Sequence, residues 1–503
     1  MADNRPVLIG IAQQTWRERD VQRTPLDALA EVATAALDDA GCANLLRDID
    51  ALASVPFLAN QVPGLAELMP ANPGAALCRR LGLKARTYST EVGGNTPQLL
   101  VNHFADTLAR GEHRAVLLCG GEVFATLSGA LKNGEDLSAW PDGGDTPAVL
   151  LGDDRPPCSE AERAHGLFEP VNTYPLFESA LRHANGWSDS EHRRRLGGMI
   201  ARLSEVAEGN PHAWRRQRWS AEAALDTADG NRMISYPYTR VMNSVLAVDM
   251  AAAVVMTTAG HARALGIDPS RLVYLRGGAD AVDIWNVSER PLLHRSPGIR
   301  AAATEVLAQA GLEINAVDLF DIYSCFPSAV QVACEALGIA VDDPRGVSVT
   351  GGMMLFGGPG NNYSMHGIAE MAARLRAGTG RHGLVTANGN YLTKHALGLY
   401  STEPGAEPWP APGRGNPRAR LDSPTPLAVD PAPRGTGTVE AFTVSYQGEE
   451  PVRGIALGRM PDGRRFLANT EADPAMLSGL EGEDMVGVTG RVTPGEPVNH
   501  IAF

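Results

Sequence analysis

The sequence predicts an α/β protein of layered sheets and helices, followed by a small all-β domain at its carboxyl end. Short apolar runs that suit buried strands alternate with amphipathic helix patterns over roughly the first 400 residues, as is typical of α/β folds. A Pro-rich stretch interrupts this alternation from about Thr402. Beyond it, residues 435–503 carry short runs of alternating apolar and polar residues, which predict half-buried strands.

In the first half of the chain the sequence predicts a strand and a helix, followed by a second helix and a second strand. Pro6–Ala12 is a short apolar run that suits a buried strand. Thr24 is placed to act as a helix N-cap, with Pro25 at the first helical position. The next elements predicted are a helix over Pro97–Arg110 and a buried strand over Arg114–Gly121.

Residues from about 125 to 235 break this rhythm and are rich in Arg, His, Trp and Pro. Their run Glu191–Arg195 is either a solvated helix face or a place where a phosphate-bearing ligand docks. The second half then repeats the α/β theme, so the sequence indicates an internal duplication. Its predicted elements are Ala247–Thr257, Arg271–Leu275, Gly298–Ala310, Val317–Tyr323, Ser328–Leu337 and Gly383–Ala387.

The carboxyl-terminal region predicts a small β-barrel of the OB type. Its strand-like runs are Val439–Val444, Gly454–Arg459 and Asp484–Val492, and Pro461–Gly463 is a hairpin turn signal. The domain plan that follows has an amino-terminal half at 1–260 with the insertion at about 125–235, a second half at 261–402, a linker at 403–434 and the small domain at 435–503.

Composition excludes several classes of function. The net charge of −14 argues against non-specific nucleic-acid binding, which needs a basic face. The six cysteines form no CxxC pair and no metal-ligand spacing, which predicts a reduced compartment and no metal. A signal peptide and an apolar run of about 18 residues are both missing from the sequence. We therefore expect a cytoplasmic protein without a membrane span.

Four short motifs, in this order and spacing, resemble those of the thiolase superfamily: Val92–Gln98, Asp321–Phe326, Gly357–Gly360 and Ala387–Asn390. They resemble the nucleophile loop, the HDCF or NEAF motif, the GHP loop and the final Cys-x-Gly loop of that family. The resemblance covers about residues 5–402. It is closest to thiolases of the sterol-carrier-protein type and to mycobacterial thiolase-like proteins with an added C-terminal domain, and it implies a duplicated α-β-α-β-α fold.

Carried over residue by residue, the resemblance implies that the residues of thiolysis are replaced. Counting back from the end of the following helix places the nucleophilic cysteine at Gly94. The GHP histidine falls on Gly358, and the last-loop cysteine falls on Ala387 or Asn388. The Asn or His that helps to hold the thioester oxygen falls on Tyr323. Loss of the thiol removes the acyl-enzyme intermediate itself.

The remaining residues still suit chemistry on a thioester without an acyl-enzyme. An aldol or retro-aldol reaction needs an oxyanion hole and one acid or base. The pattern resembles the steroid side-chain retro-aldolases, which lack the nucleophile, use tyrosines and work with a small OB-fold partner. The predicted catalytic residues are Tyr323, Tyr363 and His366; the predicted oxyanion and loop residues are Gly94, Asn95, Gly358, Asn388 and Asn390; and Cys325 and His395 are further candidates.

Each candidate also has a purely structural interpretation. A tyrosine at a strand end is often a half-buried aromatic with a satisfied hydroxyl, and Cys325 suits packing as well as it suits chemistry. Three functions therefore stay open: aldol or retro-aldol chemistry on a 3-hydroxyacyl-CoA, non-catalytic binding of CoA or lipid, and acetyl-CoA acetyltransferase activity with an unrecognised nucleophile. All three imply a coenzyme A thioester as substrate or ligand and no covalently bound cofactor. The resemblance implies a homodimer, although the linker and the extra domain could leave a monomer.

Overall fold

The fold is taken from a computed structural model of the chain, which describes residues 3–142, 148–406, 408–409 and 424–503. Nearly half of the predicted linker, residues 407 and 410–423, therefore lies outside the described residues. Its near end is packed, since the Trp409 Nε1 donates to the Asp106 carboxylate at 2.6 Å. Its far end is also attached, because the Leu427 amide donates to the Glu289 carbonyl at 2.8 Å.

The strands of the described residues form two sheets. In chain order they are β1 (Pro6–Thr15), β2 (Ile49–Ser54), β3 (Arg86–Thr90), β4 (Ala115–Val123), β5 (Val149–Leu151), β6 (Met233–Ser235), β7 (Tyr238–Thr239), β8 (Asp249–Thr258), β9 (Val273–Val282), β10 (Leu319–Asp321), β11 (His382–Gly389), β12 (Lys394–Ser401), β13 (Gly435–Gln447), β14 (Glu450–Arg459), β15 (Arg465–Asn469), β16 (Thr489–Thr493) and β17 (His500–Ala502).

The α-helices connect these strands or lie in the insertion. In chain order they are α1 (Pro25–Asp39), α2 (Pro73–Leu81), α3 (Thr96–Ala109), α4 (Phe124–Asn133), α5 (Glu160–Ala164), α6 (Pro170–Ala184), α7 (Asp189–Gly209), α8 (Ala221–Leu225), α9 (Ala259–Ala264), α10 (Pro297–Ala310), α11 (Pro327–Leu337), α12 (Tyr363–Arg376) and α13 (Pro474–Leu480).

The start of α1 follows from its sequence as predicted. The Asp27 amide donates to the Thr24 hydroxyl at 3.1 Å, and the Thr24 amide donates back to the Asp27 carboxylate at 2.9 Å. This capping box satisfies two amides that the helix itself leaves without partners, and Pro25 fits because its position needs no N–H.

Sheet topology confirms the duplication. In the first half β1 lies beside β8, followed by β4, β2 and β3; in the second half β9 lies beside β12, followed by β11 and β10. The strand directions also correspond, because the first two pairings of each half are antiparallel and β2–β4 and β10–β11 are both parallel. The two half-sheets meet where β1 pairs briefly with β9.

The layers are those predicted, α-β-α-β-α. Helix α1 packs on β1, β4 and β8, and α10 packs on β9 and β12, so these helices form outer layers. Helices α3 and α12 contact each other and strands of both half-sheets, and they form the central layer. Alternation along β1 follows from this arrangement: Val7 and Ile9 belong to the outer core, while Leu8 belongs to the central one.

The carboxyl-terminal strands close into a small barrel. The order β14-β15-β17-β16-β13 is completed by pairing of β13 with β14, and α13 lies between the third and fourth strands in sequence. This closed five-stranded arrangement agrees with the predicted OB-like domain. The turn Pro461–Gly463 connects β14 to β15, whose ends pair at Arg459 and Arg465, so the hairpin prediction is confirmed.

Some element bounds differ from the predicted ones. The strand expected over Val317–Tyr323 is only three residues long, because the Tyr323 amide donates to the Thr386 hydroxyl rather than to a backbone carbonyl of the neighbouring strand β11. The run Asp484–Val492 becomes a strand only from Thr489. The insertion also contributes to both sheets, since β5 extends the main sheet and β6 pairs with β13.

Candidate functional site

The centre of the candidate site is the contact between Gly94, just before α3, and Tyr323, just after β10. A Cβ added to Gly94 would overlap the Tyr323 hydroxyl and would lie 2.7 Å from the Asn388 carbonyl oxygen. The tyrosine hydroxyl therefore occupies the space that a side chain at position 94 would fill. Since the resemblance places the thiolase nucleophile at position 94, a phenol stands where that thiol would be.

The loop before α3 presents free amide groups. No acceptor among the described residues takes the amide protons of Gly94 or Asn95. These amides precede a helix of 14 residues, whose amino end carries partial positive charge. The Asn95 side chain is buried against Gly389 and does not cap the helix. This arrangement can hold an oxyanion.

Three side chains from the second half fix this loop. The Gly93 amide donates to Asn361 Oδ1 at 3.1 Å, and the Ser364 hydroxyl donates to the Gly94 carbonyl at 2.8 Å. The Lys394 ammonium donates to the Val92 carbonyl. Burial lowers the pKa of Lys394, which forms no ion pair within the described part of the chain.

A second cluster lies beside Asn388. Its Nδ2 donates to the Tyr174 hydroxyl at 3.1 Å and lies 4.0 Å from the Cys325 sulfur. The Tyr174 hydroxyl in turn donates to the Asn390 carbonyl at 3.0 Å, and the Tyr174 ring stacks on Phe326 with 4.4 Å between centroids. Asn388, Asn390 and Cys325 are therefore brought together, and α6 of the insertion supplies a tyrosine.

The two most central groups of the site are both protonated at neutral pH. Burial, with the nearby Cys325 sulfur, raises the pKa of the Tyr323 phenol well above its ordinary value. Burial also raises the pKa of the Cys325 thiol to about 12. Tyr323 is 7% exposed, and its hydroxyl has no hydrogen-bond partner in the ranges that the structure describes. At neutral pH the Tyr323 phenol therefore keeps its proton, and Cys325 is a poor nucleophile.

Tyr363 and His366 do not join this site. The Tyr363 ring packs edge-on against Tyr323, but its side chain is fully buried and its hydroxyl bonds to the Thr350 hydroxyl at 2.6 Å. His366 is also fully buried, its Nδ1 lies 3.1 Å from Gln13 Oε1, and burial lowers its pKa to about 3. The predicted catalytic roles of both residues therefore find no support in the geometry, because both side chains are fully buried and bonded within the core.

The glycine-rich loop 351–360 packs against the protein itself. The Gly358 amide donates to the Val245 carbonyl at 2.8 Å, so it is not free to bind an oxyanion as predicted. A Cβ on Gly351 would lie 2.6 Å from Ala207, and one on Gly360 would lie 2.5 Å from Glu122 Oε2. The absence of side chains at Gly351 and Gly360 therefore allows the loop to pack closely against the protein core.

His395 takes part in a structural network. Its Nε2 lies 3.0 Å from Asp283 Oδ2 and 3.3 Å from the Ser296 hydroxyl, and the side chain is 1% exposed. A proton relay of the Ser-His-Asp kind uses both ring nitrogens, whereas here the same nitrogen meets both partners. Ser296 caps α10, which explains the cluster without catalysis.

Sequence reasoning missed Tyr174, Asn361, Ser364 and Lys394. Asn361 and Ser364 follow directly on the glycine-rich loop, so their proximity to that motif was a usable signal. Tyr174 lies in the divergent insertion, where no pattern marks it. Among the described residues, no cluster of three or more His, Cys, Asp or Glu could hold a metal ion, and no helix is long and apolar enough to cross a membrane.

The known proteins to which this chain is similar have names that agree with the observed fold. A family described as "Thiolase-like protein type 1 additional C-terminal domain" matches residues 418–496. Among curated proteins, 3-ketoacyl-CoA thiolases of Salmonella heidelberg and Shigella boydii are 34% and 32% identical over 161 residues. That match spans 29% of this chain and 35% of each thiolase, about a third of their length.

Solved structures extend the similarity to the whole chain. The monomeric SCP2-thiolase-like protein type 1 of Mycobacterium smegmatis is 34% identical, with a TM-score of 0.83 over 100% of both chains. The Ltp2-ChsH2(DUF35) aldolase (19% identity, TM-score 0.60, 80% of this chain and 99% of that chain) shares the fold. The acetyl-CoA acetyltransferase of Syntrophomonas wolfei also shares the fold, with 14% identity and a TM-score of 0.53 over 80% of this chain and 100% of that chain. The identity over the full length of both chains places this protein among the SCP2-thiolase-like proteins of type 1, members of the thiolase superfamily with an additional C-terminal domain.

Proposed function

We propose that this protein acts on an acyl-CoA thioester at a carbon–carbon bond, by aldol or retro-aldol chemistry on a 3-hydroxyacyl-CoA. The observation that carries the proposal is the Tyr323 hydroxyl in the space of a side chain at position 94. An acid–base group thus replaces the thiol that would carry an acyl group. Membership of the thiolase superfamily supports a CoA thioester as the substrate class.

The proposed cleavage needs one proton acceptor and one oxyanion hole. The β-hydroxyl passes its proton to the Tyr323 oxygen as the Cα–Cβ bond breaks, and the bonding electrons form the enolate of the thioester. The free amides of Gly94 and Asn95 hold the enolate oxygen. The α-carbon then takes up a proton from solvent, while Tyr323 releases to solvent the proton that it gained, which leaves a shortened acyl-CoA and an aldehyde or ketone. In condensation the same steps run backwards, and the Tyr323 phenol donates its proton to the new alkoxide.

The protonation state of Tyr323 sets the pH dependence of the proposed reaction. Burial raises the pKa of this phenol, so at neutral pH the proton donor is present and the acceptor is scarce. Cleavage should therefore accelerate as pH rises towards the limit of protein stability, with no plateau near neutrality. The overall reaction neither takes up nor releases a proton, so kcat/KM for condensation should follow the same pH dependence. A pH profile of cleavage that levels off below pH 8 would contradict this role of Tyr323.

Direct assay tests the reaction. Incubation with 3-hydroxyacyl-CoA esters of different chain lengths should release an aldehyde or ketone together with a shortened acyl-CoA, both detectable by mass spectrometry. The Tyr323→Phe variant is the matched control, because it removes only the hydroxyl. Equal product formation by this variant would remove Tyr323 from the mechanism.

Non-catalytic binding of CoA or a lipid is a second candidate, and the protonation of the site favours it. Burial raises the pKa values of Tyr323, Tyr174 and Cys325, so none of these groups changes charge near neutral pH. A carrier would bind CoA in calorimetry, give no product with any 3-hydroxyacyl-CoA, and lose little affinity in Tyr323→Phe.

The acyltransferase alternative requires a nucleophile, and Cys325 is the nearby thiol. Its raised pKa, about 12, leaves very little thiolate at neutral pH. Intact mass spectrometry after exposure to acyl-CoA would show an acyl adduct if this alternative held. We expect no adduct on Cys325.

The edge of the main sheet bears on the assembly state. The resemblance implies a homodimer, but β5 pairs in parallel with β3 and covers the outer edge of the first half-sheet. The related protein of Mycobacterium smegmatis is described as monomeric. We therefore infer a monomer, which light scattering would report as a mass near 53.3 kDa rather than twice that value.

A further inference from the structure

The loop that follows Asn388 contains two residues in an unusual backbone conformation. Asn390 has a φ of 57° and Leu392 a φ of 53°, both in the left-handed region. A leucine rarely adopts this conformation, and each such residue persists only when its surroundings hold it. Residues 389–393, called the site loop below, therefore need firm support to keep Asn388 beside Gly94.

A buried arginine outside the loop supports it. Arg290 is 5% exposed, and its Nη1 and Nη2 donate to the Tyr391 carbonyl and the Thr393 hydroxyl, each at 2.8 Å. Its Nε donates to the Ile284 carbonyl at 2.8 Å. The salt bridges found among the described residues do not include Arg290, so its guanidinium acts as a three-way clamp on backbone and hydroxyl oxygens.

The segment that carries Arg290 is held by the carboxyl-terminal barrel. Arg465, on β15 and 1% exposed, pairs with Glu440 at 2.6 Å. Its other nitrogens donate to the Ser288 carbonyl at 3.3 Å and to the Pro291 carbonyl at 3.5 Å. These two carbonyls flank Arg290 on both sides. The Leu427 amide adds a bond to the Glu289 carbonyl between them.

We propose that the additional C-terminal domain is a positioning element for the candidate site, which acts through Arg465 and Arg290 to hold the site loop in its left-handed conformation. The inference rests on the proposed function only in that Asn388 belongs to the working site. Arg465 and Arg290 are positioning residues, since neither touches Gly94 or Tyr323. The insertion gives the loop additional support through the Tyr391 hydroxyl, which donates to the Phe168 carbonyl at 2.7 Å. Weakening the relay should therefore loosen the loop rather than unfold it.

Hydrogen–deuterium exchange of the full chain, without substrate, tests this relay. The Thr393 amide, which donates to the Gly389 carbonyl at 3.2 Å, reports directly on the loop. Arg290→Lys keeps the charge but cannot reach three acceptors, and Arg465→Lys keeps the pairing with Glu440 but cannot reach both flanking carbonyls. We expect each variant to speed exchange at Thr393 by about tenfold. Arg464→Gln is the matched control, because Arg464 is exposed in the same hairpin, and it should leave the loop unchanged.

The double variant distinguishes a relay from two independent supports. If Arg465 acts through Arg290, Arg290→Lys with Arg465→Lys should speed exchange little more than Arg290→Lys alone. Amides of β13 and β14 serve as an internal check that the barrel stays folded in each variant. Wild-type exchange at Thr393 in Arg465→Lys, with Arg290→Lys accelerated, would overturn the proposal. So would multiplicative effects in the double variant.

Activity is a separate readout. If the relay is correct but no 3-hydroxyacyl-CoA is cleaved or formed, exchange at Thr393 still responds to the variants while the proposed reaction fails. If the reaction occurs without the relay, Arg465→Lys keeps both wild-type exchange and wild-type turnover. The two proposals thus fail in different experiments.

Discussion

The loop at 92–95 and the loop at 351–360 are both rich in glycine, yet their glycines serve different ends. In the first loop the absent side chain of Gly94 leaves space for the Tyr323 hydroxyl, and two amides remain free. In the second loop Gly351 and Gly360 allow close packing against Ala207 and Glu122. The Gly358 amide is already bonded. Glycine content alone therefore does not identify a binding loop. What distinguishes the two loops is whether their amide groups are already hydrogen-bonded within the protein.

We expect the largest difference in turnover between variants of two tyrosines: Tyr323, which contacts the first loop, and Tyr363, which follows the second. Tyr323→Phe should lower kcat/KM for the proposed reaction by about 100-fold or more, because it removes the proton-transfer group. Tyr363→Phe should keep turnover and lower the free energy of unfolding by about 1 kcal/mol, since it loses the bond to Thr350. Steady-state kinetics and urea denaturation measure the two effects. Loss of turnover in Tyr363→Phe alone would reverse our assignment of the two loops.

The next effect compares one glycine from each loop. Gly94→Ala should destabilise the fold by about 3 kcal/mol, because its Cβ would overlap the Tyr323 hydroxyl and press on the Asn388 carbonyl. Gly358→Ala should cost less than about 1 kcal/mol, since the nearest atom, 3.1 Å away, is the mobile end of Met353. Denaturation midpoints of both variants would test the contrast, and equal costs would refute it.

A pH effect is expected where the second loop meets Glu122. Burial raises the pKa of this carboxyl from 4.5 to about 7. Between these values the folded state holds a proton that the unfolded state has released, so the contribution of Glu122 to stability falls as pH rises from about 4.5 to 7. Glu122→Gln should remove about 1–3 kcal/mol of this decline. Asp321, whose pKa burial raises to about 6, and His366, whose pKa burial lowers to about 3, contribute with opposite signs and equally in wild type and variant, so the difference between the two proteins isolates Glu122. A difference in stability between wild type and Glu122→Gln that stays constant over this pH range would contradict the assignment.

The smallest effect concerns the link between the two loops. Asn361 accepts from the Gly93 amide at 3.1 Å and donates to the Pro56 carbonyl at 3.3 Å. Asn361→Ala leaves both groups without these partners and should cost about 1 kcal/mol. Asn361→Asp keeps the acceptor for Gly93 and should lie between wild type and the alanine variant in denaturant midpoint. An aspartate variant less stable than the alanine variant would indicate that burial of its charge outweighs the retained bond.

The layered fold was predictable because its strands are buried on both faces. Such strands read as continuous apolar runs, as β4 and β8 do, and the capping signal at Thr24 fixed the start of α1. Strand β5 was not predictable, since three apolar residues fit many structures and only the open edge of β3 gives them a partner. The pairing of β6 with β13 likewise depends on tertiary contact.

The candidate site was predictable in part. Motif spacing indicated that Gly94, Tyr323, Cys325 and Asn388 belong near one another, and the structure brings them together. The same spacing suggested Tyr363 and His366, but helix α12 points their side chains into the core. Whether a residue next to a motif faces the site or the interior depends on helix rotation. Tyr174 and Arg290 act through tertiary contacts that leave no local pattern.

The pairing of β6 with β13 limits how the carboxyl-terminal barrel can be moved between proteins. Ser235 on β6 lies opposite Ser445, the Tyr236 amide donates to the Val444 carbonyl at 2.8 Å, and the Thr443 hydroxyl donates to the Tyr236 carbonyl at 2.9 Å. A fragment limited to residues 424–503 would expose this strand edge, which favours aggregation. A barrel that is to be moved into another protein would therefore need either a strand equivalent to β6 or charged side chains introduced on the exposed edge of β13.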